Sequence, residues 1–291
     1  MSAPTTSEST QDAARAHGSS LQRVLGRIVC GDNTEVLSGF PAECVDLVVT
    51  SPPYDDLRTY GGHSWNFETL AAQLVRVLKP GGVIVWVVAD ATVNGSETLT
   101  SMRQAIHFKD VCGLNVHDTM IYRRKTKPLT HNRYEQEFEY MHVLSKGKPA
   151  KWNGQTRPAR SAGQTSGKVN HRNGDATDYR GRQEVVSSHV LRGNIWEYEV
   201  AFGSGNDAIA MLHPAPFPDA LASDHVLSWS NPGDVILDPF SGSGTTCKCA
   251  KELNRQWCGI EINPEYCAIA EARLSQGVLQ LETCAMRPNT K

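Results

Sequence analysis

Three short runs dominated by valine, isoleucine and leucine recur along the chain, at residues 44–50, 82–89 and 234–238, and a fourth strand is expected at 257–262. Each of the three runs is apolar at successive positions instead of at every second one, so both of its faces must be covered. A strand buried on both faces belongs to a parallel sheet flanked by helices. Between the runs lie stretches with helical spacing: 67–78, with Leu70, Leu74, Val77 and Leu78; 101–112; 217–227; a stretch ending at Leu253; and 264–274. Lys79-Pro80-Gly81-Gly82 reads as a helix stop and turn. Further strands are expected at 120–122 and 138–144. Strands alternating with helices predict an α/β fold with a doubly wound, mainly parallel sheet, in which ligands gather at the carboxyl ends of the strands.

The chain has 291 residues, 40% of them hydrophobic, enough for one large α/β domain with an inserted element. No apolar run approaches the roughly 20 residues needed to span a bilayer, and the first twenty residues lack the apolar stretch of a signal peptide. Membrane association is not expected and a cytoplasmic location is. The eight cysteines contain no CxxC pair, so reduced, mostly buried thiols are expected and no metal site. The net charge of −2 is unevenly spread. Residues 123–182 hold 14 Lys and Arg against 5 Asp and Glu, a local +9 that leaves −11 for the rest. Within this block, residues 146–182 are poor in large apolar side chains and read as a flexible or surface insert. A basic block on an acidic body suits a polyanion-binding surface, and also suits a plain solvated face.

Two motifs carry chemistry. Asp238-Pro239-Phe240-Ser241-Gly242-Ser243-Gly244-Thr245-Thr246 leaves a strand and enters a helix. Its glycines let the backbone approach a ligand, and the helix N-terminus offers N–H groups to an anion. A P-loop would need lysine after Gly244, and a dinucleotide loop would need a third glycine where Cys247 stands. Beyond the next strand Glu261 can accept hydrogen bonds from two ribose hydroxyls. A nucleoside with a carboxylate-bearing tail fits better than a nucleotide, and S-adenosylmethionine is such a ligand; a plain tight turn is the bland alternative.

The second motif is Ser51-Pro52-Pro53-Tyr54, at the end of the 44–50 run. The prolines fix φ and remove N–H donors, leaving the Pro52 carbonyl and the Ser51 hydroxyl as a rigid pair of acceptors. Together they can hold both hydrogens of an –NH₂ group and aim its lone pair at a methyl donor, an effect of orientation and preorganised dipoles. Tyr54 offers a flat face to a base drawn out of a duplex. By itself such a segment could be only a strand-ending turn over a core tyrosine.

Together the two motifs resemble the β-class amino-methyltransferases of DNA, in their permuted order with the catalytic motif first. Gly31-Asp32, the 76–82 segment, Phe138-Glu139-Tyr140, Asn194-Ile195-Trp196 and His213-Pro214 extend the resemblance over roughly residues 26–275. It implies a Rossmann-like methyltransferase fold using S-adenosylmethionine, with Asp238, Phe240, Gly242, Ser243 and Gly244 at the methionine and ribose end, Thr245 and Thr246 at the helix start, Glu261 on the ribose and Asp32 at the adenine amino group. Ser51, Pro52 and Tyr54 would bind the flipped target base, held by the Pro53-stiffened turn. The basic insert lies where the family keeps its target-recognition region, which makes Lys146, Lys148, Lys151, Arg157, Arg160, Lys168, Arg172, Arg180 and Arg182 candidate DNA contacts.

The implied organisation is a disordered tail over 1–20, a catalytic half over 21–145, a target-recognition insert over 146–190, a cofactor half over 191–278 and a tail over 279–291. The implied substrate is double-stranded DNA, with a homodimer and a cognate restriction endonuclease left open. Serine as first motif letter is usual for cytosine-N4 enzymes in this family and aspartate for adenine-N6 enzymes, so cytosine N4 is expected, with adenine N6 the alternative. RNA remains an alternative substrate. A protein-glutamine methyltransferase would place the glycine loop first, a non-catalytic DNA-binding relic would have broken one of the motifs, and a nucleotide switch would carry the missing lysine.

Overall fold

The computed structural model describes residues 21–53, 65–124, 134–160, 162–163, 187–198 and 218–276. The strands are β1 Arg27–Cys30, β2 Val45–Thr50, β3 Leu78–Val88, β4 Thr92–Val93, β5 Ser96–Glu97, β6 Asn115–Arg124, β7 Phe138–Ser145, β8 Thr156–Pro158, β9 His189–Leu191, β10 Ile195–Tyr198, β11 Val235–Asp238 and β12 Gln256–Glu261. The helices are α1 Asn33–Ser38, α2 Phe67–Val77, α3 Thr100–Asp110, α4 Asp219–Trp229, α5 Thr245–Glu252 and α6 Pro264–Ser275. Among the described residues, eight strands form one sheet in the order β1-β12-β11-β2-β3-β7-β6-β10. Every neighbouring pair is parallel except the two that involve β7.

The apolar runs build this sheet because alternate residues feed two separate cores. Leu47, Val49, Val83, Val85, Val87 and Ile236 point to one face, packed with Leu221 of α4, Ala250 of α5 and Ala270 of α6. Val48, Ile84, Trp86, Leu237 and Ile260 point to the other, against Leu37 of α1, Leu74 of α2 and Phe108 of α3. With helices on both faces, the sheet is doubly wound, as the alternation of strands and helices predicts. No described helix is long and apolar enough to cross a membrane. The seven described cysteines carry free thiols, five of them buried.

Two local expectations change. The expected turn at 79–82 lies inside β3: Val45 pairs with Leu78 and Leu47 with Val83, so the extra residues of β3 bulge out between those pairs. Gly81 turns there at φ +76°, with Ala150 so close that a β-carbon on Gly81 would clash. The basic insert was expected to be a flexible or surface segment; its first residues are docked on the body. Ala150 N–H donates to Gly81 O at 2.9 Å, Asn153 N–H to Ser228 O at 2.8 Å, and Trp152 packs 4.8 Å from Trp229. The segment follows the body because its backbone groups find partners there, which is how a stretch without its own core becomes ordered. Short strands β8 and β9 then pair antiparallel across the insert. The expected tails at 1–20 and 279–291 lie outside the described residues.

Candidate active site

The parallel strands β1, β12, β11, β2 and β3 end together, and every expected site residue that is described, apart from the basic set, follows one of those ends. The two motifs meet directly. Thr50, the last residue of β2, donates its hydroxyl to Asp238 Oδ1 at 2.7 Å, bridging 188 positions of sequence. Thr246 Oγ1 donates to Val49 O at 3.0 Å from the far end of the glycine loop. Ser51 and Pro52 therefore leave β2 beside the start of that loop. Ser51 is half-buried and Pro52 buried. Tyr54 lies outside the described residues.

The loop is held from several sides. Asp238 Oδ1 also accepts from Phe240 N–H at 3.1 Å. Asn33 Nδ2 donates to Pro239 O at 3.2 Å, and Ser241 N–H donates to Ile260 O at 2.9 Å. Gly242 N–H donates to Glu261 Oε2 at 2.8 Å, while Asn263 N–H donates to Glu261 Oε1 at 2.9 Å. Each oxygen of Glu261 keeps a further lone pair, the capacity that a pair of ribose hydroxyls requires. Gly244 sits at φ +79° as the N-cap of α5, in the left-handed region open to glycine. Gly259 lets the loop lie on β12: a β-carbon there would stand 2.5 Å from Ser241 Oγ and 2.8 Å from Cys247 Sγ.

Asp238 is the electrostatic centre. Its carboxyl is buried, and Oδ2 has no hydrogen-bond partner among the described residues. Burial pushes its pKa up to about 6, outweighing the stabilising interactions with Thr50, the Phe240 amide and the Thr246 hydroxyl, and the nearby Glu261 charge adds to the rise. A buried acceptor without a partner costs free energy and is satisfied by a ligand that brings a donor. A cationic ammonium group fits that need. Phe240 is half-buried, with Trp65 edge-on at 4.9 Å and Trp86 at 6.4 Å, an aromatic wall beside the loop.

Asp32 lies at the end of β1, as expected, but Oδ1 is used to cap α1, accepting from Thr34 N–H at 2.8 Å and Glu35 N–H at 3.0 Å. Ser243 and Thr245 face the fold: their oxygens accept from the buried Arg273 of α6. Sequence reasoning assigned no role to Thr50, Asn33, Gly259 or Arg273. Thr50 adjoins the proline motif and could have been flagged; Arg273 falls at helical spacing from Cys267 and Ala270, which places it on the buried face of α6 but does not name its partners.

The basic set divides. Lys146 Nζ is within 3.1 Å of Glu43 Oε1 and donates to Val75 O and Leu78 O. Lys151 Nζ joins Asp46 Oδ1 at 2.8 Å and Asp234 Oδ1 at 2.6 Å. Both lysines were expected at a DNA surface; in the structure their partly exposed ammonium groups pair with carboxylates and carbonyls of the body. Asp46 also binds Lys79 Nζ at 2.6 Å and Val235 N–H at 3.0 Å. Burial pushes its carboxyl upward, but the bonds from Lys151, Lys79 and Val235 outweigh this and hold it below its usual value. Lys148, Arg157 and Arg160 are exposed, while Lys168, Arg172, Arg180 and Arg182 lie outside the described residues.

Comparison with known proteins agrees with this arrangement. An N6/N4 family model described as DNA methylase matches residues 45–272. The orphan methyltransferase M.BamHII of Bacillus amyloliquefaciens is 48% identical over 240 residues, covering 81% of this chain and 90% of its own. The DNA adenine methyltransferase YhdJ of Escherichia coli K12 is 28% identical, covering 85% and 82%. Among solved structures, the Thermus thermophilus protein TTHA0409 in complex with S-adenosyl-L-methionine is 27% identical, with TM-score 0.56 and coverage of 85% and 94%. The PvuII cytosine-N4-specific DNA methyltransferase shares the fold at 20% identity, with TM-score 0.63 over 86% and 89%. With the glycine loop and the proline motif joined at the carboxyl edge of one sheet, and with a relative 48% identical along most of its length, this chain belongs to the N6/N4 DNA methylase family.

Proposed function

We propose that this protein is an S-adenosylmethionine-dependent DNA methyltransferase that methylates the exocyclic N4 of cytosine in duplex DNA. The observation that carries the reading is the Thr50–Asp238 hydrogen bond, which sets the proline motif beside the cofactor loop. The residues fit the cofactor. Asp238 offers a buried acceptor to the ammonium of its methionine end, Glu261 offers two oxygens to its ribose, and Gly242 and Gly244 let the backbone come close. Bound there, the cofactor supplies an electrophilic methyl group.

The chain's own residues position the nucleophile. The Ser51 hydroxyl and the Pro52 carbonyl accept the two hydrogens of the target amino group and turn its lone pair toward the loop, with Tyr54 stacking on the flipped base. Ser51 is a neutral acceptor and takes up no full proton; the acidic product amine releases its proton to water. Serine at this position favours cytosine N4. Adenine N6 is the second reading, because a relative that aligns with 85% of this chain is named an adenine methyltransferase. Exposed Lys148, Arg157 and Arg160 contact the phosphate backbone, as part of a target-recognition region over 146–190. The test is product analysis: incubate with duplex DNA and S-adenosylmethionine, digest to nucleosides and identify the methylated species by mass. N4-methylcytosine is expected, N6-methyladenine would move the target to the second reading, and no methylated base would overturn both.

A further inference from the structure

We infer that Arg273 is a positioning residue that locks the glycine loop into its ligand-binding shape. The inference rests on the reading of that loop as the cofactor site. Arg273 lies on α6, and its side chain is only 1% exposed. Its guanidinium binds the loop at three oxygens: Nη1 donates to Ser243 O at 2.9 Å, Ser243 Oγ at 3.2 Å and Thr245 Oγ1 at 2.9 Å. Nη2 donates to Asp219 Oδ1 at 2.9 Å, and the other oxygen of Asp219 takes Lys248 Nζ at 2.7 Å.

The peptide between Ser243 and Gly244 is the element at stake. Glycines at 242 and 244, both at positive φ, leave the neighbouring torsions free to rotate. This peptide is pinned at both ends: the Ser243 carbonyl by Arg273, and the Gly244 N–H by Ser241 O at 2.7 Å. With its carbonyl drawn into the protein, the loop cannot swing that oxygen toward an incoming carboxylate. The planar fork of arginine reaches the loop through Nη1 and Asp219 through Nη2 at the same time, a span that the single ammonium nitrogen of lysine does not cover. Preorganisation of this kind lowers the cost of ordering the loop on binding and so acts on cofactor affinity.

Arg273→Ala and Arg273→Lys test the inference in the full-length protein, with folding checked by circular dichroism and thermal unfolding. Arg273→Lys keeps the charge opposite Asp219 and covers the case in which the alanine variant does not fold. S-adenosylmethionine affinity is measured by calorimetric titration, alongside steady-state kinetics on duplex DNA. The expected result is a Kd and KM for S-adenosylmethionine raised about tenfold or more in Arg273→Ala and by less in Arg273→Lys, with kcat at saturating cofactor and KM for DNA within about twofold of the parent. A folded variant whose cofactor Kd is unchanged, or whose kcat falls while Kd stays constant, overturns the positioning role. Parent protein that binds no S-adenosylmethionine overturns instead the cofactor reading on which it rests.

Discussion

Replacing Asp238 by asparagine should stabilise the cofactor-free protein while destroying its affinity for the cofactor. The buried carboxyl titrates at about 6, against an ordinary 3.8. Below pH 3.8 the group is neutral in both the folded and the unfolded chain and costs nothing. Between the two values the unfolded chain ionises first, so stability falls as pH rises; above 6 the whole penalty is present. At about 1.4 kcal/mol for each tenfold difference in proton affinity, the penalty is about 3 kcal/mol at pH 8 and roughly half that at pH 5. Asparagine is the neutral counterpart of the protonated acid. Its oxygen keeps the bonds from Thr50 and Phe240, and its amide occupies the place of Oδ2, which already lacks a partner. The variant should therefore melt a few degrees higher than the parent at pH 8, on the order of 2–5 °C, the buried amide hydrogens offsetting part of the gain. The gap should shrink steadily on acidification. Calorimetric scans of both proteins without cofactor, at several pH values, measure it; titration with S-adenosylmethionine should show binding weakened at least about a hundredfold, since a buried charge partner is removed. A variant less stable than the parent at pH 8, or a gap that widens toward pH 5, would refute the reasoning.

Three further outcomes are expected. Ser51→Ala should abolish methyl transfer while leaving the cofactor Kd within about threefold of the parent, because the hydroxyl acts on the base; radiolabel incorporation at parental levels would contradict this. Lys151→Ala should cost about 1–2 kcal/mol of folding stability, less than for a fully buried pair because its ammonium is partly exposed and Lys79 still faces Asp46, and should leave DNA affinity unchanged. The depressed Asp46 carboxyl contributes stability above its ordinary 3.8 that is lost as pH falls through its lower folded value, so Lys151→Ala should begin acid unfolding at a higher pH than the parent. Neutralising Lys148, Arg157 and Arg160 together should flatten the salt dependence of DNA binding, by a log–log slope of about one for each phosphate left without its cation; an unchanged slope would remove this face from the interface.

The strands that build the site were legible because burial on both faces writes a continuous apolar run. Val45–Thr50, Val235–Asp238 and Gln256–Glu261 each fall within a residue or two of the expected strands. Short pieces with little burial leave no such record. The four residues of β10 alternate between exposed and buried, β8 is exposed throughout, and α1 has six residues held by the Asp32 cap. Charge was the least legible property. Counting lysines predicted a basic face, but a count does not see that Lys151 meets Asp46 and Asp234, far away in sequence, or that Lys146 meets the carbonyls at the end of α2 and the start of β3. Arg273 is hidden for the same reason: in sequence it is one more charged residue in a helix of mixed composition, and only the fold turns it toward Ser243 and Thr245.

The most direct trial of the account is a crystal structure of the protein with S-adenosylmethionine and a duplex bearing its target site. Our account predicts the adenosine ribose on Glu261, the ammonium on Asp238 Oδ2, and the methyl group directed at an extruded cytosine whose amino group is held by Ser51 and Pro52. A ligand seated away from the 238–246 loop, or a Ser51 hydroxyl turned from the bound methyl group, would contradict it.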